Sequence, residues 1–375
     1  MNVYGPDALL KNVHEKGLCV GCGACVDLCP YFKNHKGKTA MLFPCDLPRG
    51  RCHAHCPKTE VDFDALSLKM WGTPYAGSPL GGYGRAVAAK AGKKMPRGLF
   101  QAGGVVSAIM AFSLSTGRVD AAVLTGRKGL GPTAGLATRP DDVFAFATSK
   151  YTAAPTIAAL NRGIREGFSR MGVVGTPCQI TAVSQLRSNP LESADFTDSV
   201  CLTVGLFCNW ALDTRKLIAL LSDRVDVKKI LKTDIPPPPA DIFQIETEDG
   251  RIDIPLQDIR SMIPGGCRIC PDMTSEWADI SVGNLEGEPG WNTVLIRTEK
   301  GEEIVSDAAE KEWLFTREMP RENLVHLNRA SAKKKKTAVM EAAARGLLNT
   351  QSKDAHAALR MDTDTAEEII GKEEG

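Results

Sequence analysis

CVGCGACVDLCP, Cys19 to Pro30, sets four cysteines in the spacing C-x-x-C-x-x-C-x-x-x-C-P. Thiols two residues apart on a tight loop can wrap one [4Fe-4S] cube, while the last cysteine of the run, Cys29, points toward a neighbouring cluster. The intervening glycines let backbone amides approach the sulfides. This stretch predicts a small metal-stapled module with two sites rather than one.

Working outward, CDLPRGRCHAHCP adds Cys45, Cys52 and Cys56 followed by Pro57. Its C-x-x-x-C-P ending matches the second half of a bacterial ferredoxin, so Cys56 is expected to close the first cluster with Cys19, Cys22 and Cys25. A regular second half would place cysteines at Asp46 and Arg49, yet the nearest thiol is Cys45. Cys29, Cys45 and Cys52 are left for a second cluster whose fourth ligand the spacing does not name, or for a three-iron cluster. His53 and His55 among these thiols also suit zinc, a reading that the four-cysteine run disfavours.

The rest of the chain is an ordinary globular sequence: 375 residues, 43% hydrophobic, formal net charge +1. A near-zero charge leaves no basic field for nucleic acid or an anionic membrane. The start, MNVYGPDALLKNVHEKG, shows neither a signal-peptide pattern nor a run near the ~20 apolar residues of a membrane span. A cytoplasmic location is expected, where twelve cysteines mean metal or redox chemistry instead of disulfides.

After a Gly/Pro-rich connector, TPYAGSPLGGYG at 73–84, the pattern changes to alternating helices and strands. VVSAIMAFSLSTG (105–117) reads as a helix closed by Gly117, and DAAVLTG (120–126) as a buried strand. TIAALNRGIREGF (156–168) reads as a helix, MGVVGTPCQI (171–180) as a second strand and CLTVGLFCNW (201–210) as a third, which together predict an α/β core. IPPPPADI (235–242) marks a subdomain boundary, and FQIETEDGRIDIPL alternates like a hairpin around Asp249 and Gly250. From about Lys333 the chain becomes a charged helical tail, read as solvated or docked on a partner. The expected division is 1–72, a ferredoxin-like iron-sulfur domain; 73–332, an α/β core; and 333–375, the tail.

Four further cysteines stand at Gly/Pro-marked places: Cys178 in GTPC, Cys208 in GLFC, and Cys267 with Cys270 in GGCRIC. Two single thiols at strand ends and one C-x-x-C loop can converge on a third cluster, although C-x-x-C also serves redox thiols and zinc. Cys201 is left as a buried structural cysteine. Gly103 and Gly104 before a helix would let amides meet a pyrophosphate, with Lys150 adding charge. No full G-x-G-x-x-G is present, and on the residues alone GGVVSA reads first as helix-start packing.

GTPCQITAV (175–183), GLFCNW (205–210) and CRICPDMTSEWADISVGN (267–284) resemble the family of beta subunits of coenzyme F420-dependent hydrogenases and formate dehydrogenases. QAGGVVSA (101–108) and TSKYTAAP (148–155) look like its flavin-binding segments. The resemblance runs from about Tyr83 to Thr298. It implies an α/β flavin-binding core holding FAD, with Gly103, Gly104, Ser107, Ser149, Lys150, Tyr151 and Thr176 beside the cofactor. It also implies a [4Fe-4S] cluster on Cys178, Cys208, Cys267 and Cys270. Coenzyme F420 would be the soluble substrate. A formate dehydrogenase, a hydrogenase or a heterodisulfide-reductase-like protein would be the partner subunit. Asn284 departs from the family, whose members often carry Asp there; one carboxylate is then missing near the flavin, and NAD(P)H or ferredoxin stays open as the carrier. A flavin-free electron-transfer subunit is the reading from a different class. Hydride transfer to a flavin needs no side-chain acid or nucleophile, so no catalytic residue is nominated.

Overall fold

The computed structural model describes residues 3–96, 98, 100–188, 191, 197–236, 240–351 and 356–371. At its centre lies an eight-stranded mixed sheet. In chain order the strands are β1 (Arg85–Ala91), β2 (Ala121–Lys128), β3 (Gly131–Ala137), β4 (Met171–Gly175), β5 (Val200–Leu206), β6 (Ile280–Asn284), β7 (Asn292–Ile296) and β8 (Leu314–Glu318). In space they run β8-β1-β7-β6-β5-β4-β2-β3. The middle four, β6, β5, β4 and β2, pair in parallel; the flanking pairs are antiparallel.

Parallel strands must be covered on both faces, and they read as continuous apolar runs. All five residues of the parallel strand β4 are buried; so are all five of β7, although it pairs antiparallel with both neighbours. Alternation along β2 splits its side chains between two layers. Ala122 and Leu124 pack with Val105, Ile109 and Phe112 of α1 (Val105–Ser115), while Ala121 and Val123 pack with Ile157 and Leu160 of α2 (Thr156–Arg165) and Val183 of α3 (Pro177–Ser188). Ile304 and Val305 of α4 (Glu299–Glu310) complete the first layer. Each of these Val, Leu, Ile and Phe side chains is worth roughly 1.5–3 kcal/mol when taken fully from water.

The expected strand 171–180 is shorter than its apolar pattern. It ends at Gly175, and Pro177 opens α3. Proline at the first helical position has no N–H to lose, so the Gly-Thr-Pro turn converts strand into helix and puts Cys178 on the first turn of α3. The hairpin around Asp249 and Gly250 forms as expected, in a three-stranded antiparallel sheet of Ile230–Asp234, Ile242–Thr247 and Gly250–Pro255. Residues 237–239 of the proline-rich stretch lie outside the described residues.

The front segment docks directly on the core. The Ile157 N–H donates to the carbonyl of Cys22 (3.1 Å), and Asn161 Nδ2 donates to the carbonyls of Ala24 (3.1 Å) and Val26 (2.7 Å). At Gly266 an added Cβ would lie 2.0 Å from the Leu18 carbonyl oxygen, so only glycine permits this approach.

The charged tail is built in as well. Its helix α5 (Arg321–Ala344) starts well before Lys333. Beyond it, Leu359–Arg360 pairs in parallel with both Leu348–Asn349 and Val61–Asp62 of the front segment. Val339 and Ala342 share one apolar cluster with Leu9 and Phe63 from the front and Trp277 from the core. Of the lysine run 333–336, Lys335 is only 1% exposed. That corrects the reading of the run as a solvated face: its periodic apolar neighbours take α5 into the interior, and one side of the helix carries its lysines with it. Among the described residues no helix is long and apolar enough to cross a membrane.

Candidate redox site

The cysteines fall into three sets. Cys19, Cys22, Cys25 and Cys56 line one cavity together with Gly21 and Lys58. Burial raises the Cys22 thiol well above the usual cysteine range, and the charges of Cys178, Cys56 and Cys19 act the same way. Burial likewise raises Cys25, followed by Cys19, Cys22 and Cys56. Cys52 faces Cys29 and Cys45; its thiol is pushed up to about 11, chiefly by burial.

The third set joins distant parts of the chain. Cys178 is pushed up to about 12 by burial first and then by Cys267, with Cys270 adding to it. Burial also raises Cys208, against the pull of Lys334 and together with Cys267, Cys178 and Cys270. The charge of Cys178 acts on Cys22, so the first and third sets are neighbours. Cys201 stands apart, its thiol directed at the carbonyls of Arg118 (3.4 Å) and Met171 (3.6 Å).

Dry surroundings and mutual repulsion keep such thiols protonated, and a bound iron-sulfur core reverses both effects because a coordinating thiol is deprotonated outright. The all-sulfur donor sets therefore fit clusters. Among the described residues no three His, Cys, Asp or Glu side chains gather closely enough to hold a metal ion.

β4 and β5 deliver Cys178 and Cys208 just past their carboxyl ends, where open α/β sheets bind their ligands. The other two thiols sit on the short helix Gly265–Arg268 and the turn after it. That turn is pinned by Asp272, whose carboxylate accepts the N–H groups of Thr274 (2.9 Å), Ser275 (2.7 Å) and Glu276 (2.9 Å). Arg297, 3% exposed, braces it from behind, donating to Thr274 Oγ1 (2.9 Å) and to the carbonyls of Leu80 (2.9 Å) and Gly82 (2.6 Å).

From α5, Lys334 Nζ donates to the carbonyls of Cys208 (2.5 Å) and Asp272 (2.6 Å). Next to it, Lys335 Nζ donates to Glu276 Oε1 (2.6 Å) and to the Tyr75 hydroxyl. The sequence reading missed Lys334, Lys335, Glu276, Tyr75 and Arg297. The one signal, four lysines in a row, reads as solvated until the helix around it is placed.

The two segments expected at a flavin and the turn carrying Thr176 meet at one end of the sheet. Gln101 Oε1 accepts from the Ser149 N–H (3.0 Å). Gln179 Oε1 accepts from the Thr176 N–H (2.8 Å), and its Nε2 donates to the Ala154 carbonyl and Thr156 Oγ1 (both 2.9 Å). Gly104 caps α1 with φ +77°. Gly103 is packed tightly, since a Cβ there would lie 2.8 Å from Asn292 Oδ1. Ser107, one turn on, is half-buried. The Tyr151 hydroxyl donates to Asp234 Oδ1 (3.1 Å), toward the small sheet. Asn284 is exposed at the end of β6.

Lys150 is turned inward. Its Nζ donates to the carbonyls of Phe146 (2.5 Å), Ala147 (2.7 Å) and Thr148 (2.7 Å), and Thr148 has φ +70°. Burial, then Arg127, lowers its pKa to about 7, while three carbonyls favour the ammonium, the form with three donors. Lys150→Met leaves those acceptors unpaired and is expected to lower stability by about 1–3 kcal/mol in urea unfolding; an unchanged midpoint would show that the three bonds contribute nothing net.

Residues 86–161 match the family described as coenzyme F420 hydrogenase/dehydrogenase beta subunit, N-term, and residues 168–322 match the same description's C terminus. The coenzyme F420 hydrogenase subunit beta of Methanococcus voltae is 33% identical over 245 residues, covering 64% of this chain and 86% of that protein. The chain belongs to this family. An F(420)H(2) dehydrogenase subunit of Methanosarcina mazei is 29% identical over 78% of this chain and 83% of that protein. Among solved structures, the F420-reducing [NiFe] hydrogenase complex of Methanosarcina barkeri contains a chain matching with a TM-score of 0.65 and 28% identity, over 72% of this chain and 95% of that one. The two family matches span β1 to the start of α5; the front cysteine segment lies outside them.

Proposed function

We propose that the protein is an F420-linked oxidoreductase subunit that exchanges electrons between coenzyme F420 and a partner redox subunit. The observation that carries the reading is that Cys178, Cys208, Cys267 and Cys270 lie near enough at the carboxyl ends of β4 and β5 for their charges to act on one another, with Cys22 of the front set within reach of Cys178. The family's hydrogenase and dehydrogenase members support the F420 link. When bound, FAD would exchange a hydride with the coenzyme and pass electrons singly to [4Fe-4S] clusters.

The chain's own residues hold and orient these groups. Cys178, Cys208, Cys267 and Cys270 would ligate the inner cluster and Cys19, Cys22, Cys25 and Cys56 the next. Cys29, Cys45 and Cys52 would serve an outer cluster, with three iron atoms or with a fourth ligand from elsewhere. The Gly103–Gly104 turn, Ser107, Ser149, Lys150, Tyr151 and Thr176 would line the flavin. Gln101 Nε2, buried and without a hydrogen-bond partner among the described residues, offers a free donor in that same region. The division at 72 then separates front relay from flavin core, while the boundary at 332 falls inside α5, so core and bracing tail share that helix.

The test is anaerobic stopped-flow on the purified chain. Bleaching of bound flavin by reduced F420 faster than by NADH supports the reading, and bleaching by NADH alone transfers it to a nicotinamide coenzyme, as the exposed Asn284 would allow. A fully folded chain with iron but no releasable flavin would make it an electron-transfer subunit only.

A further inference from the structure

We infer that Lys334 is a positioning residue that raises the reduction potential of the cluster on Cys178, Cys208, Cys267 and Cys270 and ties its two binding loops together; this rests on the cluster reading above. The residue lies on α5, beyond residue 322 where the family match ends. Its Nζ donates to the carbonyls of Cys208 (2.5 Å) and Asp272 (2.6 Å), and that Asp272 carbonyl also takes the Cys270 thiol at 3.6 Å. One ammonium thus spans the loop after β5 and the turn after Cys270.

Burial alone would lower the Lys334 pKa, but Cys270, Cys208, Asp272 and Cys267 together overcome it and hold the pKa above the usual lysine value. The groups facing Lys334 are these thiols and the Asp272 side chain; Lys58 faces the same cluster from the front segment, through Cys178 and Cys267. The bonds to two carbonyls place the charge without asking it to titrate. One-electron reduction adds one negative charge to the cluster site and moves no proton to Lys334, so a fixed cation in a low-dielectric site favours the reduced state. Lys58 is shared with the Cys56 set, whereas Lys334 acts on the inner set, so the two lysines grade the relay.

The experiment is a redox titration of the iron-loaded full chain, with dithionite as reductant and EPR detection, on wild type, Lys334→Gln and Lys334→Arg. Lys334→Gln is expected to lower the reduced-to-oxidised ratio of one cluster about tenfold at fixed solution potential, a shift of 59 mV for one electron, and to leave the other clusters in place. Lys334→Arg is expected to titrate like wild type. Loss of iron from Lys334→Gln but not from Lys334→Arg would be the same charge dependence read as cluster retention. Variants that titrate alike, or that lose iron alike, overturn the proposal. Wild-type chain that takes up no iron after anaerobic reconstitution would sink the cluster reading itself, a separate outcome.

Discussion

Cys178→Ala is expected to remove one cluster's complement of iron, about four atoms per chain, while the front sets stay loaded. Cys178 is the thiol through which the inner set meets Cys22, so electrons arriving at the flavin end would lose their first step toward the front. Transfer to an external one-electron acceptor should fall by more than about 100-fold, beyond the 10–100-fold typical when only an outer partner of a metal ligand is removed. On the proposed reading, bleaching of the flavin by its hydride donor should survive. Cys201→Ala is the matched control: that thiol is directed at the carbonyls of Arg118 and Met171, and its iron content should equal wild type. Full iron in Cys178→Ala would mean that this thiol is not a ligand.

Glu276→Ala is expected to be the most destabilising single change in the fold, at about 3–5 kcal/mol, because it leaves a buried ammonium without its partner. Lys335 and Glu276 are each 1% exposed and 2.6 Å apart. Tyr75, 6% exposed, closes the triad by donating to Glu276 Oε2 (3.1 Å). The three come from the connector, the turn after Cys270 and α5. Breaking the triad should loosen the Cys270 turn along with the tail. Charge-neutral replacement behaves differently: Glu276→Gln with Lys335→Met removes both charges and keeps an acceptor for Tyr75, and should recover most of the loss. Urea unfolding followed by circular dichroism measures both variants. A double variant no more stable than Glu276→Ala alone would show that packing, not the stranded charge, sets the cost.

How far the fold was legible depended on whether a signal was local. α1, α2, β2 and the hairpin at Asp249–Gly250 follow from periodicity and turn residues, because apolar burial with period 3.6 or 2 acts within one element. The end of β4 was misread because GTPCQI is apolar enough to continue a strand; the structure ends it where Gly175 must let the chain turn into α3. The lysines of α5 misled for a related reason. A charge run is solvated unless partners elsewhere accept it, and here Glu276 and the carbonyls of Cys208 and Asp272 do so from segments far away in sequence.

By itself the sequence determined the front thiol spacing and the apolar strands of a covered parallel sheet, since both depend on contacts among near neighbours in the chain. The resemblance grouped Cys178, Cys208, Cys267 and Cys270; only the tertiary structure decided that this set neighbours Cys22, and that from the tail Lys334 reaches Cys208 and Lys335 reaches Glu276. Those pairings close loops of tens to hundreds of residues, and nothing in local spacing encodes which distant segments the sheet and α5 will bring together.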